Sequence, residues 1–101
     1  MKRNLIRYQT HPDRADENQK LIEGVFAELA DKRPEGVRYV AMRLPDDTFY
    51  HLVMVDDGLA ASPIPQLGAF KVFQGGVGER CIELPQTSEV TIVGSYRMVG
   101  E

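Results

Sequence analysis

His51 is the residue best suited to move a proton at neutral pH, since a free imidazole titrates near pH 6.5 and only two histidines occur in the 101 residues. It lies in the alternating run Thr48 to Val55. If that run pairs with Val37 to Leu44 through the turn Pro45-Asp46-Asp47, so that Leu44 lies opposite Thr48, Ala41 meets His51 and Arg43 meets Phe49. His51 then shares a face with Tyr39, Arg43 and Val53. A histidine in a cavity there would be a general base; otherwise it would be a hydrogen-bonded histidine in a subunit interface. Arg7 and Arg97, expected on the polar sides of the neighbouring first and last strands, and Arg43 on the hairpin offer planar forks of donors. Converging on one cavity they would hold a carboxylate, enolate or phosphate, with Tyr39 in its wall; otherwise they would pair with some of the fifteen acids.

Other candidates are weaker. Gln74-Gly75-Gly76-Val77-Gly78-Glu79-Arg80 follows a helix and lacks the Lys-Ser/Thr pair of a phosphate-cradling loop, so it reads as a flexible helix end or a close helix-to-sheet packing. Cys81 has Arg80 beside it but no second Cys or His close by in sequence, and reads as an inert thiol. Asp46-Asp47 and Asp56-Asp57 lack the ligand spacing of a calcium loop and read as solvated turns. His11, beside Pro12, reads as the approach to a helix.

The elements that must position these groups follow from periodicity. Asn4 to Thr10 alternates and reads as a strand. Asp13 stands where an N-cap is wanted, Asp16 and Glu17 follow in the first turn, and Leu21, Ile22, Val25, Phe26 and Leu29 recur on one face, predicting a helix over Asp13 to Arg33 that Pro34 and Gly36 stop. Asp16–Lys20 and Glu28–Lys32 are supporting i,i+4 pairs. Val37 to Leu44 and Thr48 to Val55 form the hairpin. Pro65 to Gly75 reads as a second, shorter helix. Cys81 to Glu89, containing Pro85, reads as a loop, and Val90 to Val99 as the last strand.

This order, βαββαβ, is the ferredoxin-like α+β arrangement: a four-stranded antiparallel sheet, the first and third strands central, with two helices on one face. The other face needs a cover, and the hairpin's mixed face, with Tyr39, Phe49 and Val53, is expected to be the one buried in a homodimer.

The element order, the opening strand NLIRYQT, the helix PDRADENQKLIEGVFAEL, the run FYHLVMVDD and the closing VGSYR resemble the dimeric α/β-barrel superfamily, and within it the small bacterial proteins near the antibiotic-biosynthesis monooxygenase domain. The resemblance covers nearly the whole chain. It implies a homodimer of facing sheets with a cavity in each subunit, and a cofactor-free monooxygenase-like activity on an aromatic or conjugated carbonyl compound. It equally allows a metabolite-binding or purely structural domain. Haem-degrading members use a Trp with Asn and His; this chain has no Trp, so no cofactor is expected.

Composition narrows the rest. The length suits one domain, residues 1–101, and 43% hydrophobic with 27% charged residues is a globular mix. A net charge of −3 with scattered Lys and Arg gives no footprint for nucleic acid. No run approaches the ~20 apolar residues of a membrane span, and no apolar signal segment follows Met1 to Leu5, so a soluble cytoplasmic chain without a membrane partner is expected. One cysteine excludes an internal disulfide, and with two histidines it excludes a closed zinc site unless carboxylates join, so no metal is expected.

Overall fold

The computed structural model describes residues 1–98. Strand β1 is Lys2–Thr10, helix α1 Ala15–Lys32, β2 Val37–Arg43, β3 Thr48–Val55, α2 Gly68–Gln74, α3 the single turn Val77–Arg80, and β4 Cys81–Glu89. The sheet is antiparallel with order β2-β3-β1-β4, the ferredoxin-like arrangement with the first and third strands central. Among the described residues no helix is long and apolar enough to cross a membrane.

Local chemistry explains most boundaries. Pro12 opens a 3-10 turn over Pro12–Arg14, so α1 starts at Ala15 and Asp13 lies in that turn instead of capping the helix. Arg33 ends α1 in the left-handed region, φ 47°, where its N–H reaches the Leu29 carbonyl before Pro34. Lys32 and Glu28 form the anticipated i,i+4 pair at 2.6 Å, and Glu28 also accepts from the backbone N–H of Ala69, tying α1 to the start of α2. The hairpin register is the predicted one, with Val40 opposite Leu52, Ala41 opposite His51 and Arg43 opposite Phe49. Its turn is held by Asp46 Oδ1, which accepts from Thr48 N at 3.0 Å.

Two sequence expectations are corrected. The fourth strand is Cys81–Glu89, not Val90–Val99: residues 90–98 carry no strand, and Val99 lies outside the described residues. Pro85 argued against a strand, yet β4 is an edge, and the register between Arg7 opposite Gln86 and Gln9 opposite Glu83 leaves Leu84 and Pro85 together across from Tyr8. A bulge on an edge strand is where a proline's missing N–H does no harm.

The second correction concerns the faces. The mixed face, expected to be open, is the one covered by the chain's own helices: Tyr39 packs on Phe26 of α1 with ring centroids 4.7 Å apart, and His51 and Tyr8 pack on Phe73 of α2 at 5.6 and 6.3 Å. Tyr8 and Phe49 stack beneath them, 5.4 Å apart and 9° from parallel. The open face instead carries Leu5, Val40, Met42, Tyr50 and Leu52, of which Val40 is 42% and Met42 48% exposed. These form an apolar centre, flanked on the same face by Arg3, Arg38 and Gln86 and crossed by the Arg7–Glu83 ion pair.

Candidate functional site

A cavity of ≈ 310 Å³ lies between the covered face of the sheet and the segment that carries α2 and α3. Ile6, His51 and Val53 form its floor, Phe70, Phe73 and Val77 its roof, and Tyr39 one wall. The alternation of β1 and β3 puts Ile6 and His51 side by side as a register pair. None of the residues lining the cavity carries a formal charge at neutral pH; its polar lining residues are His51, the buried Tyr8, the half-buried Tyr39 and a few neutral side chains such as Asn4 and Gln74.

His51 is 3% exposed, and both ring nitrogens are engaged: Nε2 lies 2.8 Å from Tyr8 Oη and Nδ1 2.5 Å from Tyr39 Oη. Behind Tyr8 the network continues through α1 to α3. Asn18 Nδ2 donates to Tyr8 Oη at 2.9 Å, Arg80 Nε donates to Asn18 Oδ1 at 2.9 Å, and Arg80 Nη2 donates to the Phe73 carbonyl at 2.7 Å. Tyr8, Asn18 and Arg80 are all buried to 2% exposure or less, so these bonds form away from water, where an unmade one would be expensive. Arg80 also stacks on the Phe73 ring, 5.3 Å from its centroid, and among the described residues it joins no ion pair. Burial pulls the His51 pKa down to about 4, so the ring is neutral at pH 7, and burial pushes the Tyr8 and Tyr39 hydroxyls well above the ordinary tyrosine range. The chain Tyr39–His51–Tyr8 is therefore a neutral hydroxyl–imidazole–hydroxyl relay with one end at the cavity wall.

Of the residues singled out in the sequence, His51 and Tyr39 meet here and the three arginines do not. Arg43 shares their sheet face but lies at the rim, where it bonds Asp47, Asp16 and Gln19 and covers the Phe49 ring from 5.7 Å. Arg7 is on the opposite face, paired with Glu83. Arg97 belongs to no strand; it lies in the segment after β4 with its guanidinium over the Tyr96 ring. Among the described residues no group of three His, Cys, Asp or Glu gathers as a metal site would require.

Tyr8, Asn18 and Arg80 were not singled out. Asn18 had a sequence signal: Ala15, Asn18, Ile22 and Val25 are spaced as one helical stripe and all four are buried, so Asn18 is a polar residue in an apolar row. Arg80 had none, because its partner lies 62 residues away in the chain.

No protein-family model and no curated protein sequence matches this chain. Solved structures do. A "putative antibiotic biosynthesis monooxygenase" from Nitrosomonas europaea superposes with a TM-score of 0.76 at 10% identity, over 93% of this chain and 100% of that one. Proteins of the same description from Caulobacter crescentus (TM-score 0.73, 17% identity, 92% and 90% of the two chains) and Bacteroides thetaiotaomicron (0.74, 17%, 91% and 89%) match as well. The chain has their fold. At such identities the likeness concerns backbone architecture, and the chemistry must be argued from the cavity itself.

Proposed function

We propose that the chain is a small-molecule-binding ferredoxin-like domain that acts as a cofactor-free monooxygenase on a planar aromatic or conjugated carbonyl compound held in the His51 cavity. The observation that carries this reading is the cavity's composition: an apolar, aromatic-walled space with a neutral histidine–tyrosine relay at one wall and no charged lining residue. Such a space accepts a flat conjugated ring system, and the wall at Tyr39 and His51 offers a place for its oxygen. The chemistry would run on the substrate's own electrons. Loss of a proton beside the carbonyl gives an enolate, whose carbon adds to dioxygen as a peroxide; protonation of that peroxide and loss of water leave a new carbonyl. Hydrogen bonding from the relay would stabilise the enolate oxygen. His51 would be the group that supplies the peroxide's proton, from Nδ1 through Tyr39, while the proton released on enolisation leaves to water.

Two copies are proposed to meet through their open faces, which would bury Val40, Met42 and their neighbours and close a dimeric α/β barrel. A lone thiol, Cys81, suits the reducing cytoplasm.

A second reading is favoured by one observation: a histidine whose pKa is near 4 is a weak base, and no carboxylate lines the cavity to assist it. On that reading the site binds its ligand without turnover. An oxygen electrode separates the two. With a panel of enolisable aryl ketones and quinol-like compounds, the enzyme reading expects one dioxygen consumed per substrate by the parent and none by His51→Ala. Binding without oxygen uptake across the panel would leave the carrier reading.

A further inference from the structure

The buried hydrogen bonds have a direction that starts at Arg80. A guanidinium can only donate, so its bond to Asn18 Oδ1 turns the Asn18 amide nitrogen toward Tyr8, where it donates to Oη. Two arrangements of protons remain beyond that point. If Tyr8 donates its hydroxyl proton to His51 Nε2, the ring carries its proton on Nδ1 and donates to Tyr39 Oη, whose own proton is free to point into the cavity. If instead Nε2 carries the proton, Tyr8 Oη accepts twice and its own proton must leave a hydroxyl that is 1% exposed, while among the described residues its bonded partners are Asn18 and His51 alone. The first arrangement gives every proton an acceptor, because Tyr39 is half-buried at the cavity edge and can satisfy its hydroxyl there.

Resting on the cavity-binding reading above, we infer that Asn18 and Arg80 are positioning residues that hold His51 as the Nδ1–H tautomer, so that Tyr39 presents a hydrogen-bond donor and the site selects a neutral carbonyl oxygen over a phenolic O–H of the same shape. Neither residue touches the ligand; each acts through the relay. The uncharged lining agrees with this ligand class, since nothing there would compensate a carboxylate or phosphate.

The test uses Asn18→Asp in the full chain. A carboxylate is the same shape as the amide but accepts at both oxygens, and it supplies Arg80 with a counter-charge. Tyr8 would then donate to Asp, His51 would donate from Nε2 to Tyr8, and Tyr39 would donate to Nδ1, presenting lone pairs to the cavity. Nitrogen-15 spectra of the histidine rings read the tautomer directly, with exposed His11 as the internal reference. Affinities for 1-tetralone, 1-naphthol and the oxygen-free tetralin read the consequence. The inference expects Nδ1–H in the parent and Nε2–H in the variant, with the tetralone-to-naphthol preference falling by roughly three- to tenfold, the worth of one hydrogen bond. Should Asn18→Asp fail to fold, Tyr39→Phe must lose the preference for tetralone over tetralin by the same factor. An Nε2–H parent overturns the inference, as does a preference that does not move when the tautomer does. A parent that binds none of the three probes refutes the cavity-binding reading and the selection built on it, while its ring spectrum still decides the tautomer.

Discussion

Acid should weaken this protein through His51 by an amount large enough to isolate. In the unfolded chain the imidazole returns to its ordinary pKa of 6.5; in the fold, burial lowers it to about 4. Between those values the unfolded state binds more protons than the folded one, so stability rises with pH. His51's contribution is complete above about pH 6.5, is lost progressively as pH falls toward 4, and changes no further below that. At about 1.4 kcal/mol per pKa unit the whole effect is about 3 kcal/mol, of which roughly 2.5 kcal/mol has gone by pH 4.5. Several carboxylates whose pKa values are lowered by their partners, Glu17 by Arg14 and Glu28 by Lys32 among them, also destabilise the fold in acid, but they do so in any variant that keeps them. The experiment therefore compares the parent with His51→Gln, neutral at every pH, by urea unfolding from pH 7.5 to 4.5 at fixed protein concentration. The parent's advantage over the variant should shrink by about 2.5 kcal/mol across that range. Two curves that stay parallel within about 0.5 kcal/mol would refute the reasoning, because they would mean that the ring is not held neutral by burial.

Three further outcomes follow from particular contacts. Tyr8→Phe keeps the ring stacked on Phe49 but removes the hydroxyl shared by Asn18 and His51, and chemical denaturation should register a loss of about 1–3 kcal/mol. Arg33→Gly relieves a left-handed residue on an exposed helix end, and a thermal melt should show a gain of about 0.5 kcal/mol after the greater freedom of the unfolded glycine is counted. Leu52→Glu puts a charge in the middle of the open face, and light scattering should find single 11.4 kDa chains where the parent is dimeric; a parent with the mass of one chain at micromolar concentration would contradict the proposed assembly.

Much of the architecture was legible because local chemistry dictates it. The turn Pro45-Asp46-Asp47 fixed the hairpin register to the residue, and with it the fact that His51 and Tyr39 share a face. Which face the helices cover was not legible. Both faces of the hairpin carry apolar residues, and counting them favours Val40, Met42, Tyr50 and Leu52 as the inner side. The covered face instead buries Thr10 and His51, and for His51 it does so partly with a bond from Tyr8, which sequence spacing does not connect to it. The last strand was misplaced for a related reason: a proline disqualifies a central strand but not a bulge at an edge, and nothing within Cys81 to Glu89 reveals that it is the edge. The arginines went astray with those two errors. Arg7 moved to the other face and Arg97 out of the sheet, leaving a cavity whose character is neutral and aromatic instead of cationic.

The central claim is that a planar carbonyl compound occupies the space above His51 with its oxygen at Tyr39. Titrating 1-tetralone into the nitrogen-15-labelled chain tests it most directly, with amide and imidazole resonances followed together. The account predicts saturable shifts confined to the residues around the cavity, Ile6, Val53, Phe70 and Phe73 among them, with the His51 ring nitrogens moving and the whole response lost in His51→Ala. Shifts on the open face around Val40 and Leu52 with none at His51 would contradict it.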